Sequence, residues 1–275
     1  MKISIIGTGY VGSVLAAGLA KLEHEVLLVD IIQEKVDMIN SGKAPIYEKG
    51  LQELITENKT LIRATTNLQE AIINTELTFI CVGTPSRKDG SMSLAQVESA
   101  CSGIAAALIR KQEKHYVVIK STVLPGTAEH CIKLISDISG KRFSSDFSLA
   151  SNPEFLREGS AVYDFFNQDR IVIGTTDHEI VEKVKEIYKG LTAPILETKF
   201  KEAEMIKYAN NSFLATKISF INEIGNICKK LGIDTNVVAK GIGMDFRIGP
   251  HFLKSGIGFG GSCFPKDVSA ITHRA

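Results

Sequence analysis

The chain has 275 residues, of which 44% are hydrophobic and 23% charged, with a formal net charge of +1. That balance gives no general attraction to nucleic acid or acidic membranes, and the length suits one large or two modest domains. The five cysteines, Cys81, Cys101, Cys131, Cys228 and Cys263, are odd in number and scattered, with no Cys-x-x-Cys pair. This argues against a disulfide framework and a zinc site and fits a reducing cytoplasm.

The opening Met1-Lys2-Ile3-Ser4-Ile5-Ile6 reads as a strand entering a turn, not as a signal peptide. No apolar run approaches the roughly 20 residues of a membrane helix. The strand leads into Gly7-Thr8-Gly9-Tyr10-Val11-Gly12, and apolar residues then recur at helical spacing to Leu22. A second strand, Glu25 to Val29, ends in Asp30, 18 positions after Gly12. Strand, Gly-x-Gly-x-x-Gly, helix, strand and acid together make a dinucleotide fingerprint. Gly7 makes the tight turn, Gly9 admits the pyrophosphate, Gly12 lets helix pack on strand, and the helix N-terminus faces the phosphates. A carboxylate at Asp30 accepts hydrogen bonds from the ribose and repels a 2′-phosphate, so the expected cofactor is NAD rather than NADP.

Further strands are expected at Thr60–Thr65, Leu77–Val82, Tyr116–Lys120, Leu149–Asn152, Ile171–Gly174 and Ile195–Glu197, with helices at Leu94–Leu108, Thr127–Ile138 and Glu179–Tyr188. The alternation predicts an α/β fold, a Rossmann-type, doubly wound, mainly parallel sheet. Lys111 to His115 reads most simply as a solvated loop or helix end. Residues 200–231 lack proline, and Met205, Ile206, Ala209, Phe213, Ile218, Ile221, Ile224 and Ile227 fall at helical spacing. A helix so long and so widely apolar packs on other helices or on a second subunit. It is expected to form a homodimer. All cysteines but Cys263 sit in apolar patterns and read as small core residues.

Several strand ends carry polar groups, where ligands of open parallel sheets collect. Thr84, Ser121 and Thr122 could face a cofactor there or simply cap turns. Asn152-Pro153-Glu154-Phe155-Leu156-Arg157-Glu158-Gly159 follows another strand; its two carboxylates are either site groups or a surface helix pair. Lys207 and Asn211 share one helix face. Gly256 to Asp267 crowds glycines around Cys263, followed by Lys266 and Asp267. That combination suits either a nucleophilic cysteine or a tight structural loop holding a bystander thiol.

Taken in order, the fingerprint, Val82-Gly83-Thr84-Pro85, Lys120-Ser121-Thr122, Asn152 to Gly159, Lys207 with Asn211, and Gly258 to Asp267 resemble the nucleotide-sugar 6-dehydrogenases, the UDP-glucose/GDP-mannose dehydrogenase family. Phe252 to Phe259 looks more like the UDP-glucose branch. The resemblance implies a four-electron, NAD-dependent oxidation of UDP-glucose or a similar nucleotide sugar through a thiohemiacetal and thioester on Cys263. It implies catalytic roles for Cys263, Lys207, Asn211, Asp267, Thr122 and Glu154, with the general base open among the last three. It places Gly7, Gly9, Tyr10, Val11, Gly12, Asp30, Lys35, Thr84, Thr122, Glu158 and Lys266 at the cofactor. Glu154, Phe155, Leu156, Arg157, Glu158, Lys207, Asn211, Phe252, Leu253, Lys254, Ser255, Gly256 and Gly260 fall at the sugar nucleotide. No metal is implied.

The expected organisation is an NAD-binding domain over 1–198 and a helical dimerisation region carrying the cysteine loop over 199–275. Family members continue into a further α/β domain that completes the nucleotide-sugar pocket. The chain stops within an expected helix, so it reads as a truncated piece. An alternative function is a cofactor-binding, dimerising module with no activity of its own.

Overall fold

A computed structural model of the chain describes residues 1–274. The β-branched run after Met1 becomes β1 (Lys2–Ile6), followed by β2 (Glu25–Val29), β3 (Ile62–Thr65), β4 (Leu77–Ile80), β5 (His115–Ile119), β6 (Phe147–Ser151), β7 (Ile171–Gly174) and β8 (Ile195–Thr198). These strands form one sheet in the order β3-β2-β1-β4-β5-β6-β7-β8. Neighbours run parallel except β6 and β7, which meet antiparallel at Ser151 and Gly174. Every residue of β4, β5, β6 and β7 is buried, as strands covered on both faces must be.

The helices are α1 (Tyr10–Lys21), α2 (Gln33–Asn40), α3 (Leu51–Glu57), α4 (Leu68–Asn74), α5 (Ala95–Leu108), α6 (Thr127–Ser139), α7 (Ala161–Phe166), α8 (His178–Ile187), α9 (Phe200–Leu231), α10 (Thr235–Gly243) and α11 (Phe264–Arg274). Alternate strand residues feed two cores. Ile3, Ile5 and Phe79 join Leu15, Leu19 and Phe165 on one face, while Ile80, Val117 and Leu149 join Ile104 and Ile135 on the other. Cys81, Cys101, Cys131 and Cys228 are buried and Cys263 is exposed.

The chain divides into two compact units, Met1–Thr84 with Ser93–Met205, and Pro85–Met92 with Ile206–Ala275. The boundary falls inside α9, where neither glycine nor proline marks it. The first turn of α9 belongs to the sheet-bearing unit because Phe200 enters its core and because Gly174 has no side chain; a Cβ there would lie 2.4 Å from that of Ala203.

Lys111 to His115 is a loop solvated only in its middle: Gln112 and Glu113 are exposed, but the two ends of the run are buried. His115 opens β5 and is fully buried, and Lys111 is buried with it. Lys111 Nζ donates to the Ile72 carbonyl (2.7 Å), the Thr75 carbonyl and His115 Nδ1 (3.0 Å). Burial lowers the lysine pKa to about 8. Burial, followed by the Lys111 charge, holds His115 well below the usual imidazole value, so a neutral ring accepts from the lysine.

Glu204, the fifth residue of α9, is nearly fully buried. Helix α6 follows Gly126, whose backbone is left-handed and which has no side chain to cap the helix. Glu204 takes that role from a distance, accepting the Gly126 N–H at 2.7 Å and the Ala128 N–H at 2.8 Å. Burial pushes its carboxyl up to about 7, against the opposing pull of those two N–H groups. An acid whose folded pKa exceeds its unfolded one makes folding less favourable as pH rises between the two. The thermal midpoint of Glu204→Gln, relative to the unmodified chain, should therefore improve from pH 5 to pH 8. A difference constant across that window, measured by calorimetry, would contradict the raised acidity.

Candidate active site

The candidate residues form two sets, one in each unit. In the sheet-bearing unit the strand order reverses at β1, with β2 on one side and β4 on the other. Such switch points open a crevice at the carboxyl ends of the strands. Gly7 lies there with φ +100°. A Cβ on Gly7 would meet the Cys81 carbonyl oxygen at 2.7 Å, and one on Gly12 would meet the Gly7 oxygen at 1.9 Å. Both positions therefore require glycine. Gly9 precedes α1 with no side-chain cap, and the space beside its Cα is open. The N–H groups of the first turn of α1 are thus available to an anion.

Asp30 follows β2, and its side chain is mostly buried. Its Oδ2 accepts the Thr8 N–H at 2.9 Å and the Thr8 hydroxyl, and its Oδ1 accepts the Ile32 N–H at 3.0 Å. Burial raises its pKa, but these bonds and Lys35 Nζ at 4.0 Å outweigh it and hold the carboxyl below its usual value. A carboxylate offers about four acceptor positions, so these three donors leave room for a ribose hydroxyl. Open backbone at Gly9, an uncapped helix start and an ionised Asp30 fit a dinucleotide.

The hydroxyl-bearing strand ends are partly structural. Ser121 donates to the Val82 carbonyl (2.7 Å) and Thr84 to the Thr122 carbonyl (3.0 Å), so both hydroxyls brace turns. Gln96 of α5 accepts the Gly83 N–H at 3.0 Å, a contact no sequence pattern announces. The segment Asn152 to Gly159 is loop rather than a surface helix. Its start is anchored by buried Asn152, whose Oδ1 accepts Lys120 Nζ and the Tyr188 hydroxyl, each at 2.9 Å, and whose Nδ2 donates to the Val172 carbonyl at 2.7 Å. Glu154 is buried, with Oε2 accepting the Leu156 N–H at 2.6 Å. Phe155 stacks under Arg170, 3.9 Å from guanidinium carbon to ring centre. Arg157 is held by Asp164 through its N–H (2.8 Å), Nε (3.0 Å) and Nη2 (2.5 Å), while Glu158 is exposed. The phenol of Tyr10, the first residue of α1, donates to buried Glu48. No motif or periodicity marks Glu48 in the sequence.

In the second unit, Lys207 and Asn211 are buried one turn apart on α9, and Asp267 on α11 is fully buried. Asn211 Nδ2 donates to Asp267 Oδ2 at 2.7 Å, and Lys266 Nζ to Asp267 Oδ1 at 2.5 Å. Cys263 stands at the N-terminus of α11, where its carbonyl accepts the Asp267 N–H at 2.9 Å and its thiol lies 3.6 Å from the Ser262 hydroxyl. Pro265, which has no N–H to satisfy, fits the first turn. Phe264 lies 6.4 Å from Phe252 and 6.5 Å from Phe259, ring centre to ring centre. The Gly256 N–H donates to Asn222 of α9 at 2.7 Å, and Leu253 is buried. Lys254, Ser255 and Gly260 are exposed. No cluster of three potential metal ligands occurs among the described residues.

Residues 1–192 match the NAD binding domain of the UDP-glucose/GDP-mannose dehydrogenase family, and residues 201–275 match its central domain. The chain belongs to that family. It is 47% identical over 282 residues to UDP-glucose 6-dehydrogenase AglM of Haloferax volcanii and 45% identical over 280 residues to the GDP-mannose 6-dehydrogenase of Pseudomonas aeruginosa. All of this chain is covered in both, but only 65% and 64% of the relatives. A UDP-glucose dehydrogenase structure from Pyrobaculum islandicum superposes with a TM-score of 0.95 at 44% identity, covering 99% of this chain and 63% of that one. The chain thus spans less than two thirds of each relative's length.

Exposure separates Cys263 from the other thiols, since buried cysteines are shielded from reagents. Brief iodoacetamide treatment followed by mass-spectrometric mapping should place the label mainly on Cys263. Equal labelling of Cys81, Cys101, Cys131 or Cys228 would contradict this geometry.

Proposed function

We propose that the chain takes part in the NAD-dependent oxidation of a nucleotide sugar at C6, with UDP-glucose as the substrate and Cys263 as the covalent nucleophile. The observation that carries the reading is an exposed thiol at the start of α11, one turn before an Asp267 clasped by Asn211 and Lys266. NAD, held by Gly7 to Gly12, Asp30 and Lys35, with Thr84, Glu158 and Lys266 as further contacts, is the hydride acceptor in both oxidations.

In this reading the sugar C6 hydroxyl gives up a proton and a hydride and becomes an aldehyde. Cys263 sulfur bonds to the aldehyde carbon, and the oxygen gains a proton, giving a thiohemiacetal that retains one C–H bond. Loss of that hydride and the hydroxyl proton leaves a thioester. Water then breaks the C–S bond, freeing Cys263 and the uronate. Negative charge that gathers on the sugar oxygen is met by Lys207 and Asn211, which project from one face of α9. Thr122, Glu154 and Asp267 are the groups assigned to moving protons and water. Phe252 to Gly256, Gly260 and Glu154 to Arg157 are assigned to the sugar nucleotide.

NADH formation followed by absorbance, with UDP-glucose and separately with GDP-mannose, tests the reading, because relatives named for either substrate are 45–47% identical to the chain. Cys263→Ala should abolish uronate formation and leave NAD affinity unchanged, since the fingerprint lies in the other unit. Turnover with neither sugar would reduce the chain to an NAD-binding module. Unchanged turnover in Cys263→Ala would exclude thioester chemistry.

We also propose that a second copy of the chain covers α9. Phe213, Phe220 and Ile227 are exposed at spacings of seven, forming one stripe along the helix. Leu231 extends the stripe, and an apolar patch of this kind marks an interaction surface. Sedimentation at micromolar concentration should give a dimer that Phe220→Glu converts to monomer. A monomeric unmodified chain would refute it.

A further inference from the structure

Glu48 lies between α2 and α3, in a loop that carries none of the candidate site residues, yet it is buried. Surface loops rarely bury a carboxylate unless its charge has partners. Glu48 has several, and they come from two other segments. Its Oε2 accepts the Tyr10 hydroxyl and the Gly159 N–H (2.9 Å), and its Oε1 accepts the Ala161 N–H (3.1 Å). The Gly159 N–H also lies 2.9 Å from the Tyr10 oxygen. Burial, then the bond to Glu48, raises the tyrosine pKa above its usual value, so the phenol stays a donor. Gly159 itself is left-handed at φ +86°, a conformation that turns the chain from the loop into α7.

We propose that Glu48 is a positioning residue for cofactor binding, fixing the far end of the Asn152–Gly159 loop to the start of the fingerprint helix. The loop has no regular hydrogen-bond ladder, so its shape depends on a few ties, the Arg157–Asp164 clasp within it and the anchors at its two ends. Its first end is fixed by Asn152 to Lys120, Tyr188 and the Val172 carbonyl. Its last end is fixed by Glu48 and Tyr10. Glu154 and Glu158 lie between these two anchors, four residues apart. Removing the Glu48 carboxylate takes the acceptor from the Ala161 N–H, leaves the Gly159 N–H only the Tyr10 oxygen, and loosens the end nearer Glu158. Asp30 and Lys35 lie beyond β2 and hold the adenosine end independently, so the loss should fall on the rest of the dinucleotide. This deepens the functional reading above and rests on its placement of Glu158 at the cofactor.

The test compares the unmodified 275-residue chain with Glu48→Gln and Tyr10→Phe. Hydrogen exchange, resolved to peptides spanning 157–162, reads the anchor. Calorimetric titration with NAD and with ADP reads the consequence. In Glu48→Gln, exchange in that peptide should rise about tenfold and NAD affinity should fall about five- to tenfold, with ADP affinity within twofold of the unmodified value. Tyr10→Phe should show the same pattern more weakly, because Gly159 keeps its bond to Glu48. Unchanged exchange would overturn the anchor. Equal loss of NAD and ADP would show general destabilisation and overturn the positioning role, as would faster exchange with unchanged NAD affinity. An unmodified chain that binds ADP but gains nothing from NAD's second half would instead bring down the placement of Glu158.

Discussion

The structure turns on a backbone contact that admits no side chain. The end of β1, the start of α1 and the end of β4 converge so closely that a methyl group on Gly12 or Gly7 would overlap a carbonyl oxygen. This approach lets α1 begin directly above the sheet with its first N–H groups facing the crevice. Asp30 depends on the same contact, because Thr8, between the two glycines, supplies two of its donors. A side chain at either position would move the turn, the helix and the acid together.

That constraint is also why so much of the fold is legible in the sequence. Few arrangements besides a phosphate-binding turn need glycine at those fixed offsets after a β-branched strand, and the strand pattern that follows has the period of a covered parallel sheet. Strand and helix positions expected from periodicity agree with the structure to within about two residues, the range in which helix ends fray. The change from alternating elements to one uninterrupted helix at Phe200 is equally visible. Cys263 stands out because glycines crowd it, and the other cysteines because apolar residues do.

What escapes the sequence shares one property: polar side chains whose partners are distant in the chain. Lys111 and His115 look like a solvated charge run, yet they fill a buried gap between α4 and β5, where the Ile72 and Thr75 carbonyls need donors. Glu48 sits in a proline- and glycine-flanked loop, and its partners are 38 and 111 residues away. Glu204 reads as one more polar residue of a helix, and only the fold reveals that α6 starts at a glycine unable to cap it. Ser121, which as a strand-end hydroxyl could face a ligand, donates its hydrogen to a neighbouring turn. Periodicity reports which face of an element is buried. It carries no information about which donor a buried acid will meet.

The buried acids also differ in a way that sorts their roles. Asp30 is mostly buried, but Thr8, Ile32 and Lys35 supply enough donors and charge to keep it ionised. Glu204 receives two backbone N–H groups, with the Ser151 hydroxyl at 3.4 Å, and burial prevails over them, so its acidity weakens towards neutrality. Asp267 is the most enclosed of them and has both a cation and an amide, Lys266 and Asn211, on its two oxygens. Two donors leave about two of a carboxylate's four acceptor positions open, so Asp267 ties the Asn211 amide to the Lys266 ammonium without closing itself to a further donor.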